Sequence, residues 1–132
     1  MLKKLIFITA FTLSTPLLAQ CPPDVGTPLT GGNGNTYCIS NIAMNWWSAH
    51  SWCRAIGGHL ATVNEACDPV WTQGSCPNIS TPGAIDAWIW TATPSGNNRA
   101  WIVNPNAYNW GRGSSDPNGY RKDFKRAFCL IP

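Results

Sequence analysis

Histidines and cysteines are the residues of this sequence whose chemistry could support metal binding or catalysis. His50, Cys53, His59, Cys67 and Cys76 lie within one central stretch. Imidazole and thiolate groups are the usual ligands of structural zinc, but these residues follow no standard zinc-finger spacing. The sequence therefore gives little support to a zinc centre, and we predict neither a metal ion nor another cofactor.

A catalytic Cys–His pair would need a free thiol that is activated by a nearby base. His50 precedes Cys53 by close to one helical turn, but the six cysteines form an even set that can pair completely. His50 is better interpreted as a packed or solvent-exposed histidine. Glu65, Asp68 and Asp86 show no pairing typical of a hydrolase. We therefore predict that the protein is not an enzyme.

The polar loops of the C-terminal half contain the residue types that suit ligand recognition. Amide side chains and planar aromatic rings can bind sugar hydroxyls or a protein epitope at low entropic cost. The alternative interpretation is that asparagine and glycine are present as turn formers. The candidate ligand-binding residues are Asn97, Asn98, Arg99, Asn104, Asn106, Tyr108, Asn109, Trp110, Asp116, Asn118 and Arg121.

Residues 1–19 have the pattern of a secretory signal peptide. A basic start precedes the apolar run Leu5–Leu13, and Thr15–Ala19 forms a more compact end after which cleavage is expected. The apolar run is too short to span a membrane. A lipoprotein anchor on Cys21 is the alternative. We predict one exported domain at residues 20–132, secreted, extracellular or periplasmic, with no transmembrane segment after signal removal.

The charge of the mature chain is close to zero. Signal removal takes two lysines from the nine basic residues and leaves the six acidic residues untouched. Nothing in that balance argues for broad electrostatic binding to nucleic acid. The basic stretch from Arg121 to Arg126 is either a local anion-binding patch or a solvated edge.

The six cysteines of this short exported chain indicate a disulfide framework. Many pairings of six cysteines are possible, so spacing alone does not choose among them. Cys67 and Cys76 are close in sequence and are expected to bridge each other. The eight tryptophans are interpreted mainly as core residues of a small domain, with exposed binding aromatics as the alternative.

The segment Asn45–Val63 must position much of this chemistry, and it predicts an amphipathic helix, a stop and a short strand. Asn45 suits the N-cap, because its side-chain oxygen can accept from a free amide of the first turn. Gly57 and Gly58 suit the C-terminal end. Residues spaced by three and four predict one buried helical face. That face consists of Trp46, Ala49, Cys53 and Ile56.

The remaining segments predict an irregular arm, a second short helix and an antiparallel sheet. Proline and glycine favour an irregular arm at Cys21–Gly34, a short helix is expected within Asn64–Ser80, and Gly111–Tyr120 is interpreted as a polar loop. Pro94–Asn98 is expected to form a hairpin turn. The predicted strands are Thr36–Ser40, Ala87–Thr93, Arg99–Val103, Ala107–Trp110 and Arg126–Ile131.

Together these segments resemble a C-type lectin-like domain, in particular its compact bacterial members. Trp46, Ala49 and Cys53 match the W-x-x-A-x-x-x-C helix pattern of that family, and Cys129 matches the cysteine of its final strand. The resemblance covers nearly all of Cys21–Ile131. It implies an α+β fold in which one or two helices pack on small antiparallel sheets. It also implies the disulfides Cys21–Cys38 and Cys53–Cys129.

The calcium and sugar motifs of that family are missing from this sequence. Sugar-binding members use Glu-Pro-Asn or Gln-Pro-Asp in a long loop, together with Trp-Asn-Asp. The nearest strings here, Asn104-Pro105-Asn106 and Asp116-Pro117-Asn118, supply no paired carboxylates for an ion that takes about six to eight oxygen ligands. We expect a calcium-independent adhesion or recognition module that binds a glycan or protein. A structural or assembly subunit of a pilus or cell-envelope complex is the alternative.

Overall fold

The structure is a computed structural model, which describes residues 20–32, 34–67, 88–104, 109–115 and 123–132. These residues form an α+β fold, as predicted from the sequence. In chain order the elements are β1 (Gly26–Thr30), β2 (Thr36–Met44), α1 (Trp46–Ala55), β3 (His59–Leu60), α2 (Val63–Cys67), β4 (Ile89–Pro94), β5 (Arg99–Asn104), β6 (Asn109–Ser114) and β7 (Lys125–Ile131).

One mixed sheet of seven strands organises the described residues. The strand order is β1-β2-β7-β4-β5-β6, and the short strand β3 pairs with β7 outside this path. Strands β4 and β7 are parallel, with Trp90 opposite Ala127, so the expectation of purely antiparallel sheets is wrong. Neighbouring parallel strands must be joined by a long connection. Here the chain between β4 and β7, which includes the β5–β6 hairpin, provides it.

Two strands differ from the sequence-based expectation for identifiable reasons. The arm was expected to be irregular, but it contains β1, and Pro28 is tolerated there because β1 lies at the edge of the sheet. Strand β6 extends to Ser114, through residues that were expected to form a loop. A Cβ atom on Gly113 would lie 2.5 Å from Cζ3 of Trp90, so this glycine permits close packing and does not mark a turn.

Helix α1 begins and buries its residues as the sequence predicts. The Asn45 side chain caps the first turn by accepting a hydrogen bond from the Ser48 amide at 2.7 Å. Gly57 follows the helix with a φ of 88°, the left-handed conformation expected after a C-terminal end. Ala49 and Cys53 are fully buried against the sheet. The predicted buried face is therefore confirmed at these two positions, while Trp46 and Ile56 are half-buried and pack against the same cluster.

Two disulfides join the helix and the arm to the sheet. Cys53 in α1 bonds to Cys129 in β7, and Cys21 in the arm bonds to Cys38 in β2. Cys38 lies opposite Cys129 in the β2–β7 register, which places both bridges in one region of the core. Both pairings are those that the family resemblance implies. The expected Cys67–Cys76 bridge lies outside the described residues, because Cys76 is among those not described.

The sheet is apolar on both of its faces. On one face, Tyr37, Ile39 and Phe128 belong to a buried cluster that also includes residues of α2. The other lies under α1 and contains Trp90, which is fully buried and donates from Nε1 to the Met44 carbonyl at 2.8 Å. Such two-sided burial explains why the consecutive residues Ile89 and Trp90 of strand β4 are both fully buried.

We expect removal of the Cys53–Cys129 bridge to be more destabilising than removal of Cys21–Cys38. In the chain-entropy account, stabilisation grows with the loop that is closed, and these bridges span 76 and 17 residues. Paired replacement by alanine should lower the free energy of unfolding by about 4 and about 3 kcal/mol respectively. Urea denaturation of the two double variants measures both losses. A larger loss for the Cys21–Cys38 pair would contradict this ranking.

Candidate functional site

Strand β5 separates the sequence-predicted ligand-binding residues into two groups. Asn97, Asn98 and Arg99 lie at the β4–β5 turn, where Asn98 adopts a φ of 53°. Asn104 and Asn109 pair at the other end of the β5–β6 hairpin. At about 3.3 Å per residue, the length of β5 puts the groups roughly 17 Å apart. They cannot contact the same small ligand.

The group at the far end of the β5–β6 hairpin has little exposed surface in the part of the chain that the structure describes. Asn104 is only 8% exposed, so its amide belongs mainly to the interior. The side chains of Asn109 and Trp110 are not described. The candidates that lie wholly outside the described residues are Asn106, Tyr108, Asp116, Asn118 and Arg121. Ligand binding by these residues stays a prediction.

The β4–β5 turn is connected to the first turn of α1. Nε1 of Trp47 donates to the Ser115 carbonyl at 2.9 Å. The Ser115 amide in turn donates to the Asn98 carbonyl at 2.9 Å. The ring of Trp46 packs edge-on against that of Trp47, with centroids 5.0 Å apart. Trp47 nevertheless remains 53% exposed. The indole of Trp47 is therefore held in one orientation while much of its surface faces solvent.

Trp47 also lines an open groove between α1 and the end of β2, which we call the α1–β2 groove. Its volume is about 620 Å³. The groove is mainly apolar, and among the described residues that line it none is acidic or basic. The lining residues are Ile42, Met44, Asn45, Trp47, Ser48, Ser51, Trp52 and Ala55.

A second stripe on α1 forms the helix side of this groove, and it was not expected from the sequence. Trp47, Ser51 and Ala55 recur every four residues, next to Ser48 and Trp52. Solvent-facing helix stripes normally carry charged residues. Arg54 is the one charged residue of α1, and this scarcity of charge on an exposed helix was the signal in the sequence that could have identified the groove.

In the part of the chain that the structure describes, His50 belongs to no cluster of His, Cys, Asp or Glu side chains that could hold a metal ion. Burial, together with the nearby Arg54 guanidinium, lowers the pKa of His50 and favours the neutral ring. Its ring packs edge-on against Trp46 with centroids 4.3 Å apart, and Nε2 is buried without a hydrogen-bond partner in the described residues. Cys53, one turn further on, is bonded to Cys129 and has no free thiol. His50 is a packed histidine, one of the two alternatives expected.

Glu65 and His59 form the other polar cluster, at the start of helix α2. The Glu65 carboxylate accepts from the Thr62 amide at 2.9 Å, and the Thr62 hydroxyl accepts from the Glu65 amide at 3.1 Å. This reciprocal arrangement is a capping box. Nε2 of His59 lies 2.8 Å from the same carboxylate. Because the carboxylate is used to cap α2, we assign this cluster to stability.

The pKa of Glu65 reflects two opposing effects. Burial by itself raises the pKa of this carboxyl group, but hydrogen bonds from the Thr62 amide and from His59 outweigh it and lower the pKa below the ordinary value of 4.5. Because the folded-state pKa is lowered, the ionised carboxylate stabilises the fold above the unfolded-state pKa. This stabilisation is lost as the pH falls through the folded-state pKa.

We expect Glu65→Gln to be less stable than the wild type at pH 6 by about 0.5–1 kcal/mol, the range of exposed ion pairs and helix-terminus charges. The difference should shrink as the pH falls below about 4.5, because the wild-type carboxylate then takes up a proton. Thermal unfolding from pH 6 to pH 3 measures both effects. Asn64→Gln, an exposed neutral change on the same helix, is the control and should follow the wild-type pH dependence. A pH-independent gap for Glu65→Gln would contradict the assignment.

The two disulfides indicate an oxidising compartment, such as the extracellular space or the periplasm. In the part of the chain that the structure describes, neither helix has the length and apolar character that crossing a bilayer requires. Comparisons with models of known families, with curated proteins and with solved structures found no match.

Proposed function

We propose that the protein is a calcium-independent recognition module of the C-type lectin-like type, which binds a glycan or protein ligand outside the cytoplasm. The observation that carries the proposal is the fixed but exposed indole of Trp47 beside the uncharged α1–β2 groove. The α+β fold and the two disulfides support the family resemblance on which the lectin-like part of the proposal rests.

A fixed surface tryptophan suits recognition for energetic reasons. Large aromatic side chains dominate the binding energy of many interfaces. A ring that is already held by a hydrogen bond loses little further conformational freedom when a ligand packs on it. The bond from Trp47 to Ser115 provides this preorganisation. An exposed tryptophan with no structural role of this kind would more simply be a chance surface residue.

The proposed recognition surface includes one part of the site expected from the sequence. Asn97, Asn98 and Arg99 are exposed at the β4–β5 turn. Through the Ser115 backbone that turn is hydrogen-bonded to Trp47, which places the turn and the indole in one region of the surface. The surface thus combines an aromatic platform with exposed amide and guanidinium donors, which suit hydroxyl and carbonyl acceptors.

Calcium independence rests on the sequence and on the chemistry of the ion. Calcium binding normally requires several carboxylates that converge on one point. The described residues that line the groove with Trp47 include no carboxylate. The carboxylate of Glu65 is used in the capping box of α2.

A structural or assembly role is the second candidate, and an apolar surface that shares Ile42 with the α1–β2 groove favours it. Val25 and Ile42 are 43% and 66% exposed near the end of β2, where the Val25 carbonyl accepts from the Asn41 amide. Phe124 is 56% exposed and directly precedes Lys125, which lies opposite Met44 in the sheet. Neighbouring exposed apolar side chains of this size are typical of protein interfaces.

We expect the oxidised domain to bind a component of a glycan array or of an extracellular envelope fraction equally well with calcium and with chelator. Its melting temperature should not change with excess calcium, because only a ligand that binds the native state raises it. Trp47→Ala should reduce the amount of this component that the domain retains at least tenfold. Phe124→Ala, of similar exposure but outside the groove, is the matched control.

The same pair of variants separates the two candidate functions. Retention that survives Trp47→Ala but is lost in Phe124→Ala would favour the assembly role and contradict recognition through Trp47. A chelator-sensitive signal, or a melting temperature raised by calcium, would contradict calcium independence alone.

A further inference from the structure

We propose that the α1–β2 groove is a binding site for a neutral saccharide, with a face of one sugar ring packed on Trp47 and its hydroxyl edge toward the helix. This inference rests on the proposed recognition function and specifies both the site and the class of ligand. It locates ligand binding away from the C-terminal loops to which the sequence pointed.

The helix side of the groove offers hydrogen-bonding groups that the fold does not use. The hydroxyls of Ser48 and Ser51 line the groove, and neither forms a hydrogen bond within the part of the chain that the structure describes. Both residues are exposed, and they lie three apart on the same helical face. Asn45 uses its Oδ1 atom to cap α1, which leaves its amide NH₂ group for a ligand.

The strand side of the groove is different in character. Ile42 and Met44 contribute it, with Ala55 and Trp52 on the apolar part of the helix side. Ile42 is 66% exposed, so a large apolar surface is open to solvent here. The groove therefore carries serine hydroxyls and the Trp47 ring on its helix side and only apolar side chains on its strand side.

This two-sided character selects among possible ligands. An acyl chain or a row of aliphatic side chains would cover the serine hydroxyls without bonding them, at a cost of about 1–3 kcal/mol for each unsatisfied group. A charged ligand would lose hydration without gaining a counter-charge, because the described lining residues are all neutral. A neutral sugar ring has hydroxyl groups that can bond the serines and a C–H face that can pack on Trp47.

Trp47 is suited to the stacking role in particular. Its only polar atom, Nε1, already donates to Ser115, so the indole presents apolar ring surface to a ligand. The groove volume of about 620 Å³ lies within the range of about 300–1,000 Å³ found for small-molecule sites.

The test is a tryptophan-fluorescence titration of the oxidised domain with maltotriose, mannotriose, galactotriose and chitotriose as neutral probes. Trigalacturonic acid serves as the charged probe. We expect saturable binding of at least one neutral trisaccharide and at least tenfold weaker binding of the charged one. The double variant Ser48→Ala/Ser51→Ala should weaken the neutral binding at least tenfold.

Two controls separate lost binding from lost folding. Alanine is the best helix-forming residue, so the double serine variant should fold and melt no lower than the wild type. Arg54→Ala changes an exposed residue of the same helix that does not line the groove, and it should bind as the wild type does.

Two results would overturn the saccharide site. One is the absence of saturable binding by all four neutral probes, and the other is binding that is unchanged in the double serine variant. The recognition function would stand even then if Trp47→Ala still abolished retention of a protein from the envelope fraction. If there were neither saturable saccharide binding nor Trp47-dependent retention of a protein, the recognition function would be overturned together with the saccharide site.

Discussion

The covalent tie between helix α1 and strand β7 is the constraint on which the rest of the structure depends. Strand β7 lies between β2 and β4 and also pairs with β3, so most of the sheet is built on it. Cys129 of this strand is bonded to Cys53, which faces the sheet from the middle of α1. Because this bond fixes which face of α1 meets the sheet, it also fixes the opposite stripe of the helix. The orientation of the α1–β2 groove follows from it.

Local chemistry explains which parts of the fold could be predicted from the sequence. The limits of α1 depend on Asn45 and on the glycines that follow it, and its buried face depends on spacings of three and four residues, all of which are visible in the chain itself. The two observed disulfides were accessible only through the family resemblance, since six cysteines can pair in many ways. The parallel β4–β7 pairing and the extent of β6 depend on distant contacts. Gly113 shows this, because it looks like a loop residue until Trp90 is placed against it.

The candidate site was less predictable, because residue type does not reveal which neighbours a side chain will have. Trp47 and Trp90 are the same amino acid, yet one is 53% exposed and the other is fully buried. Polar residues of the C-terminal half were correctly identified as surface candidates at the β4–β5 turn. Their division by β5 follows from the strand predicted at Arg99–Val103, whereas the burial of Asn104 could not be foreseen without the tertiary contacts. The apolar and serine residues on the outer stripe of α1 are visible in the sequence, but the sequence does not show that β2 lies beside them.

The position of the disulfides also has a mechanical consequence for a domain that is held at its ends. Residue 21 is linked by a covalent bond to β2, and β2 is paired along much of its length with β7, the last strand. Tension applied between residue 21 and β7 therefore runs through Cys21–Cys38 and the β2–β7 ladder. A second, fully covalent route runs from Cys38 along β2 and through α1 to Cys53 and Cys129. The groove and its tryptophan lie on this covalent route, so they are kept from load only while the hydrogen bonds of the β2–β7 ladder hold.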